Sequence, residues 1–307
     1  MSSTSTMHAV YAYGSDPTTL SYETLPRPTP GPGQVLVAVH AAAITAGELT
    51  WPDTWPVIPA HDVSGVVAAV GAQVVDLHVG DEVFGLIGFD RNGAAAEYVT
   101  VPATDLAIKP TTIDHIGAAA LPLGGLTAWQ ALIDYAHVEK DQHVLVHGGA
   151  GGVGTYAVQL AVYHGARVTA TASAADAAFV AGLGAGSVID YTGRFEEQVA
   201  DVDIVIDTVG GETLTRSWRV LRSGGVLIGV ADPPPEAAAA AHGVRGVYFV
   251  VEPNKPQLIE LAQLVDAAVL RPTVGRVFPL ADTAAAFTTQ RDSHIRGKVV
   301  LDVLAPA

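Results

Sequence analysis

The run Gly148-Gly149-Ala150-Gly151-Gly152-Val153-Gly154 carries the clearest chemical signal in this chain of 307 residues. Its spacing, Gly149-x-Gly151-x-x-Gly154, follows an apolar strand and opens an amphipathic helix, the setting in which such a pattern binds a pyrophosphate. One glycine permits a tight turn and the next lets backbone amides approach the phosphates. The last allows the helix to pack on the strand, so that the free N–H groups of its first turn face the anion. Gly148, Gly149, Gly151, Gly152, Val153 and Gly154 are therefore expected to hold a dinucleotide.

The following strand ends should complete that site. An Asp or Glu closing the second strand would bind a ribose 2′-hydroxyl and repel a 2′-phosphate. Here the strand ends Thr171-Ala172-Ser173. Ser173 can donate to a phosphate, which favours NADP(H). Tyr191 closes the third strand and is expected to stack on the adenine or bond the phosphate. Thr208 and Val209, with Gly229 and Val230, fall where the fourth and fifth strands end, at the carboxyl edge where open α/β sheets take ligands.

The elements that must position these residues are legible from texture. From about Gly117, alanine-rich helical patterns alternate with short apolar strands at 144–147, 168–172, 188–191, 204–208, 226–230 and 246–251, the mark of βαβ units and a parallel sheet. The helix 153–164 stops at Gly165. Ahead of this region, runs at 35–43, 63–70 and 97–102, punctuated by turn clusters such as Pro26-Arg27-Pro28-Thr29-Pro30-Gly31-Pro32-Gly33, predict a small irregular barrel. A helix over 257–269 ends before Arg271-Pro272, and strands over 274–280 and 298–303 return to the barrel. The expected domains are thus 1–116 with 270–307, and 117–269. Residues 231–241, with three prolines and a run of alanines, read as a mobile loop or short helix.

Composition narrows the function classes. With 31 acidic against 16 basic residues and a formal charge of −15, the chain would repel nucleic acid and anionic lipid. It has no cysteine, which excludes disulfides, thiolate nucleophiles, iron–sulfur clusters and thiolate zinc sites. The polar start is unlike a signal peptide and no run is long enough to span a bilayer, so a cytoplasmic protein without nucleic-acid or membrane partners is expected.

The loop with its strand, Val144 to Gly154, resembles the zinc-independent quinone oxidoreductase branch of the medium-chain dehydrogenase/reductase superfamily. So do Pro32-Gly33-Gln34-Val35-Leu36-Val37, Gly80-Asp81-Glu82-Val83, Leu121 to Trp129, Asp207-Thr208-Val209-Gly210-Gly211 and Arg296-Gly297-Lys298-Val299-Val300. The resemblance covers almost the whole chain. It implies an α/β architecture: a Rossmann-type doubly wound parallel sheet domain plus a GroES-like β-rich catalytic domain, a substrate cleft between them and a homodimer. Relatives often carry a basic residue after the second strand, where this chain has Ala174-Ala175-Asp176-Ala177. Many have an asparagine near the nicotinamide, where this chain reads Ile44-Thr45-Ala46-Gly47-Glu48, so Thr45 would take over its polar role. The resemblance also places Thr127 beside the nicotinamide, and Thr45, Trp51, Trp55, His61 and Phe89 on segments that approach substrate.

In zinc-dependent relatives a Gly-His-Glu segment and further Cys or Asp residues hold the metal, and Pro59-Ala60-His61-Asp62 stands at that segment here. A catalytic zinc wants three protein ligands. With no thiolate, only His61, Asp62 and Glu48 are left to serve, so no metal is expected and His61 is read as a cleft residue that bonds substrate or packs. Without a Lewis acid, hydride delivery is easier to a conjugated acceptor, whose charge is delocalised onto a distant oxygen. The expected activity is NADPH-dependent reduction of a small electron-poor quinone or α,β-unsaturated carbonyl. Thr45, His61 and Thr127 are its candidate catalytic residues, and Trp51, Trp55 and Phe89 its candidate substrate wall. An enoyl or tailoring reductase of a biosynthetic pathway and a non-catalytic NADP(H)-binding relative are the alternatives. Arg296 and Lys298 read as solvated charges at a strand end.

Overall fold

The structure, a computed structural model, describes residues 5–306. They divide into two compact units, one comprising the chain up to Leu123 with Glu252–Ala268 and Pro272 onward, the other Gly124–Val251 with Val269–Arg271.

The first unit is built on a seven-stranded sheet around the long strand Gln34–Ile44. That strand pairs antiparallel with Asp62–Val70 along most of its length. Its other edge is shared: Tyr98–Pro102 takes residues 34–38 and Lys298–Asp302 takes residues 41–44. A strand from the end of the chain is thereby laid against Ile44, one residue before Thr45. Beyond Asp62–Val70 the sheet continues through Glu82–Leu86 to Leu106–Ile108, and Val274–Pro279 pairs parallel with Lys298–Asp302. Inward-facing Val35, Val37 and Val39 alternate along the central strand, the period-2 pattern of a half-buried strand. They pack with Val63, Val67, Val83, Val99 and Leu301 in the unit's main core. A hairpin of Thr6–Ala12 and Leu20–Pro26 covers part of it.

The helix Lys255–Asp266, expected in the nucleotide domain, clusters with the first unit. The carboxylate of Asp266 at its C-terminal end accepts from the backbone N–H groups of Thr111 and Thr112, and Lys255 at its start pairs with Asp76. These polar contacts are made across 154 to 179 residues of sequence, which periodicity does not register.

The second unit is a six-stranded parallel sheet. From one edge its strands are Ser187–Asp190, Arg167–Ala172, His143–His147, Val202–Asp207, Leu221–Gly229 and Arg245–Tyr248. Numbered by their order in this unit they run 3-2-1-4-5-6, the doubly wound order, whose direction reverses between His143–His147 and Val202–Asp207. Near-continuous runs such as Val144-Leu145-Val146 and Ile204-Val205-Ile206 are fully buried, as a parallel sheet covered on both faces requires. Residues 231–241 resolve into a turn followed by the helix Glu236–His242, closed by Gly243 at φ +63°. The helix Pro122–Trp129 widens over Gln130–Tyr135 to i→i+5 bonding, as in Ala136 N–H to the Ala131 carbonyl at 2.9 Å.

Candidate active site

In the second unit the glycine loop leaves the strand His143–His147 where the sheet's order reverses. Gly148 takes φ +73°, and a Cβ there would stand 2.5 Å from Thr208 Oγ1. The turn closes through Gly151 N–H to the Gly148 carbonyl at 2.9 Å. A Cβ on Gly154 would lie 2.0 Å from that same carbonyl oxygen, and one on Gly149 2.9 Å from Ala170 Cβ. Gly151 differs, since its Cβ would meet only the Gly148 carbonyl, at 3.3 Å. Gly148, Gly149 and Gly154 thus serve packing, while Gly151 keeps an approach open. The N–H groups of Gly152, Val153 and Gly154, at the start of the helix Gly154–Tyr163, find no protein acceptor among the described residues. Such a cradle of unpaired amides at a ten-residue helix fits a pyrophosphate.

Behind the loop lies a network that sequence reading missed. His147 is buried, and both its ring nitrogens are engaged, Nδ1 with Thr171 Oγ1 at 3.1 Å and Nε2 with Ser217 Oγ at 3.0 Å. Ser217 donates to the Thr213 carbonyl, so His147 Nε2 must be the donor to Ser217. With the neutral ring's proton on Nε2, Nδ1 accepts from Thr171 Oγ1, which itself accepts from Gly148 N–H at 3.2 Å. The chain of bonds fixes one neutral tautomer and ties the loop's first amide to the second strand. Burial, with Arg216 adding to it, pushes the imidazole pKa down to about 3. A histidine placed immediately before the glycines was the only signal in the sequence.

The other expected cofactor residues fall around this edge. Thr208 donates to the His147 carbonyl at 2.7 Å, bridging the two strands at the reversal. Asp207 Oδ1 accepts from the N–H groups of Val209 and Gly210, which fixes the turn that displays the half-exposed Val209. Burial pushes the Asp207 carboxyl up. Gly229 pairs with Asp207 in register, and Val230 N–H reaches the Asp207 carbonyl at 3.0 Å. Tyr191 is exposed, and its N–H bonds the Ala172 carbonyl at the end of the second strand. Ser173 departs from expectation, because its hydroxyl donates to Asp176 Oδ2 at 2.7 Å rather than facing outward. Asp176 in turn is buried, so it is not displayed as an acid at the strand end. Thr127 is buried on the helix Pro122–Trp129.

In the first unit, Thr45, Glu48, His61, Asp62 and Lys298 form one polar cluster. Glu48 is buried, with Oε2 accepting from Thr45 N–H at 2.8 Å and Oε1 from Ala60 N–H at 2.6 Å. Burial pushes its carboxyl up, against the pull of His61 and these amides. His61 Nδ1 bonds the Ile87 carbonyl at 3.1 Å, which places its proton there and leaves Nε2 3.9 Å from Glu48 Oε1. Asp62 is wholly buried, with Oδ1 accepting from Leu123 N–H at 2.5 Å and Oδ2 at 2.9 Å from the Lys298 ammonium. Burial pushes this carboxyl up too, opposed by Lys298. Lys298 is only 3% exposed and donates to Thr45 Oγ1 at 2.6 Å. Its reading as a solvated strand-end charge is therefore corrected: Lys298 opens the strand Lys298–Asp302 with its side chain buried, and Asp62 offsets the cost of burying it.

Trp51, His61 and Phe89 pack as an aromatic group, with Phe89 edge-on to both at 5.1 Å. Trp55 instead packs against the barrel core. The expected pair of tryptophans is thus split, and His61 takes the second place in the wall. Among the described residues no three His, Asp or Glu side chains are placed to hold a metal.

Residues 31–111 match the alcohol dehydrogenase GroES-like domain, and residues 183–301 match the zinc-binding dehydrogenase family. The chain is 32% identical to mouse NAD(P)H oxidoreductase RTN4IP1, mitochondrial, over 89% of this chain and 82% of that protein. It is 36% identical to the NADPH-dependent alkenal/one oxidoreductase, chloroplastic, of Arabidopsis thaliana, over 87% of this chain and 72% of the relative. The quinone oxidoreductase structure from Coxiella burnetii superposes with a TM-score of 0.91 at 31% identity, covering 97% of this chain and all of that one. With the doubly wound sheet, the glycine cradle and the GroES-like unit, these likenesses establish that the chain belongs to the medium-chain dehydrogenase/reductase superfamily.

Proposed function

We propose that the protein is an NADPH-dependent reductase of quinones or α,β-unsaturated carbonyls that works without a metal. The observation that carries this reading is the commitment of the three candidate ligands. Both Glu48 oxygens accept backbone amides, Asp62 is held by Leu123 and Lys298, and His61 offers only Nε2. A lysine ammonium stands where a divalent cation would need these carboxylates. Stabilisation of negative charge on a substrate oxygen then falls to hydrogen-bond donors, which suffices for an acceptor that delocalises it.

The bound dinucleotide would supply the two electrons and one hydrogen of the reduction from its nicotinamide. The amides of Gly152, Val153 and Gly154 would hold its pyrophosphate, and the His147–Thr171 chain would keep the loop in shape. Tyr191 would lie along its adenosine end, where the burial of Asp176 removes the acid that would repel a 2′-phosphate. The NADPH named for the plant relative agrees with this choice. Trp51 and Phe89 would give a planar acceptor an aromatic surface. Thr45 would bond its oxygen, while Thr127 would support the nicotinamide. Cytoplasmic homodimers are part of the same reading, by family resemblance and composition.

The test is to titrate the protein with NADPH and NADH, then follow loss of reduced-cofactor absorbance with quinones, enones and saturated aldehydes, with and without a strong chelator. Turnover of conjugated acceptors that the chelator leaves unchanged is expected. Loss of turnover on chelation, or reduction of saturated aldehydes alone, would overturn the proposal.

A further inference from the structure

Thr45 and Lys298 lie 253 positions apart, yet Lys298 Nζ is 2.6 Å from Thr45 Oγ1. An ammonium has donors only, so the threonine oxygen must accept. The Thr45 hydroxyl hydrogen is thereby turned away from Lys298, and among the described residues it has no protein acceptor. Thr45 itself is only partly buried, its N–H held by Glu48 and its neighbour Ala46 exposed. The oxygen is fixed from behind and its hydrogen is left to a ligand.

We infer that Lys298 is a positioning residue that makes Thr45 an obligate hydrogen-bond donor to the carbonyl oxygen of the substrate. A free threonine hydroxyl donates or accepts with equal ease, and only donation helps an oxygen that gains negative charge. Lys298 removes that ambiguity and polarises the O–H bond through a charge-assisted contact. Asp62 is the reason the lysine stays in place, since it pairs with the ammonium in a site from which water is excluded. The inference rests on the proposed reading in one respect, that the ligand is a carbonyl compound.

Two readouts test it. One is the absorbance of 4-(dimethylamino)cinnamaldehyde bound in the presence of NADP+, which shifts to the red when its carbonyl oxygen receives a hydrogen bond. The other is kcat and KM for an enone. The variants are Thr45→Val, Thr45→Ser and the paired Lys298→Met/Asp62→Asn, which removes both buried charges together. Thr45→Val should abolish the red shift and lower kcat about a hundredfold with KM within about threefold. Thr45→Ser should recover most of both. The paired variant should lose roughly tenfold in kcat and much of the red shift, and adding Thr45→Val to it should cost far less than in the parent, because the two act as a unit. Should that pair fail to fold, Lys298→Leu/Asp62→Asn, which likewise leaves no unpaired buried charge, serves in its place. A red shift unaltered by Thr45→Val, or full additivity of the two changes, overturns the inference. Should the parent reduce no conjugated acceptor, the proposed function fails while the spectral readout still decides the role of Lys298.

Discussion

The glycine loop and the Thr45–Lys298 cluster are built by opposite means. The loop presents backbone amides within seven consecutive residues, and its shape depends on what is missing, a Cβ at Gly148, Gly149 and Gly154. The cluster uses buried charged side chains drawn from two strands and a turn, and its order depends on every charge having its partner. A local site built from backbone tolerates change around it and fails when a side chain is added. A site assembled from distant charges fails when a side chain is taken away.

That contrast can be broken experimentally. The largest effect is expected on the charged side: Lys298→Ala leaves Asp62 buried and unpaired, which should destabilise the protein by about 3–5 kcal/mol in denaturant unfolding. A loss below about 1 kcal/mol would mean that water reaches Asp62 and that the cluster is not dry. On the loop side, Gly151→Val should lower NADPH affinity about a hundredfold while Tm moves by only a few degrees, because a Cβ at Gly151 meets little protein. Retained binding in a fluorescence titration would remove the loop from the cofactor site.

A third effect is smaller and depends on pH. His147 is neutral in the folded state down to a pKa of about 3, whereas in the unfolded chain it takes up a proton near pH 6.5. Between those values the unfolded state binds more protons, so His147 costs stability as pH falls below about 6.5, by up to about 1.4 kcal/mol per pH unit. Comparing unfolding of the parent and His147→Asn from pH 7.5 to 5 should show the steeper decline in the parent; parallel curves would mean an exposed imidazole whose pKa does not change on folding. Smallest of all, Ser173→Ala should change the Kd for NADPH less than about threefold, since the Ser173 hydroxyl is spent on Asp176. A tenfold weakening would return Ser173 to the phosphate.

The parallel sheet was readable because each of its strands is a local apolar run and each of its helices a local periodicity, so the strands at 144–147, 168–172 and 204–208 fell within a residue or two of the observed ends. In the barrel the strand Glu82–Leu86 and the hairpin from Thr6 escaped, because their partners are remote and their patterns short. The strand Lys298–Asp302 pairs with Gln34–Ile44 in the barrel, yet no local pattern shows which side chains that pairing brings together.

By itself the sequence determined the glycine run between a strand and a helix, the strand–helix alternation of a parallel sheet and the absence of thiolate chemistry, all properties of neighbouring residues or of composition. Only the tertiary structure decided which side chains face inward and what they meet. It showed that Lys298 is buried against Asp62 and Thr45, that Ser173 is bound to Asp176, and that His61 rather than Trp55 joins Trp51 and Phe89. The physical reason is that the charge state, donor direction and cost of burial of a polar group are set by its neighbours in space, and here those neighbours lie up to 253 residues away.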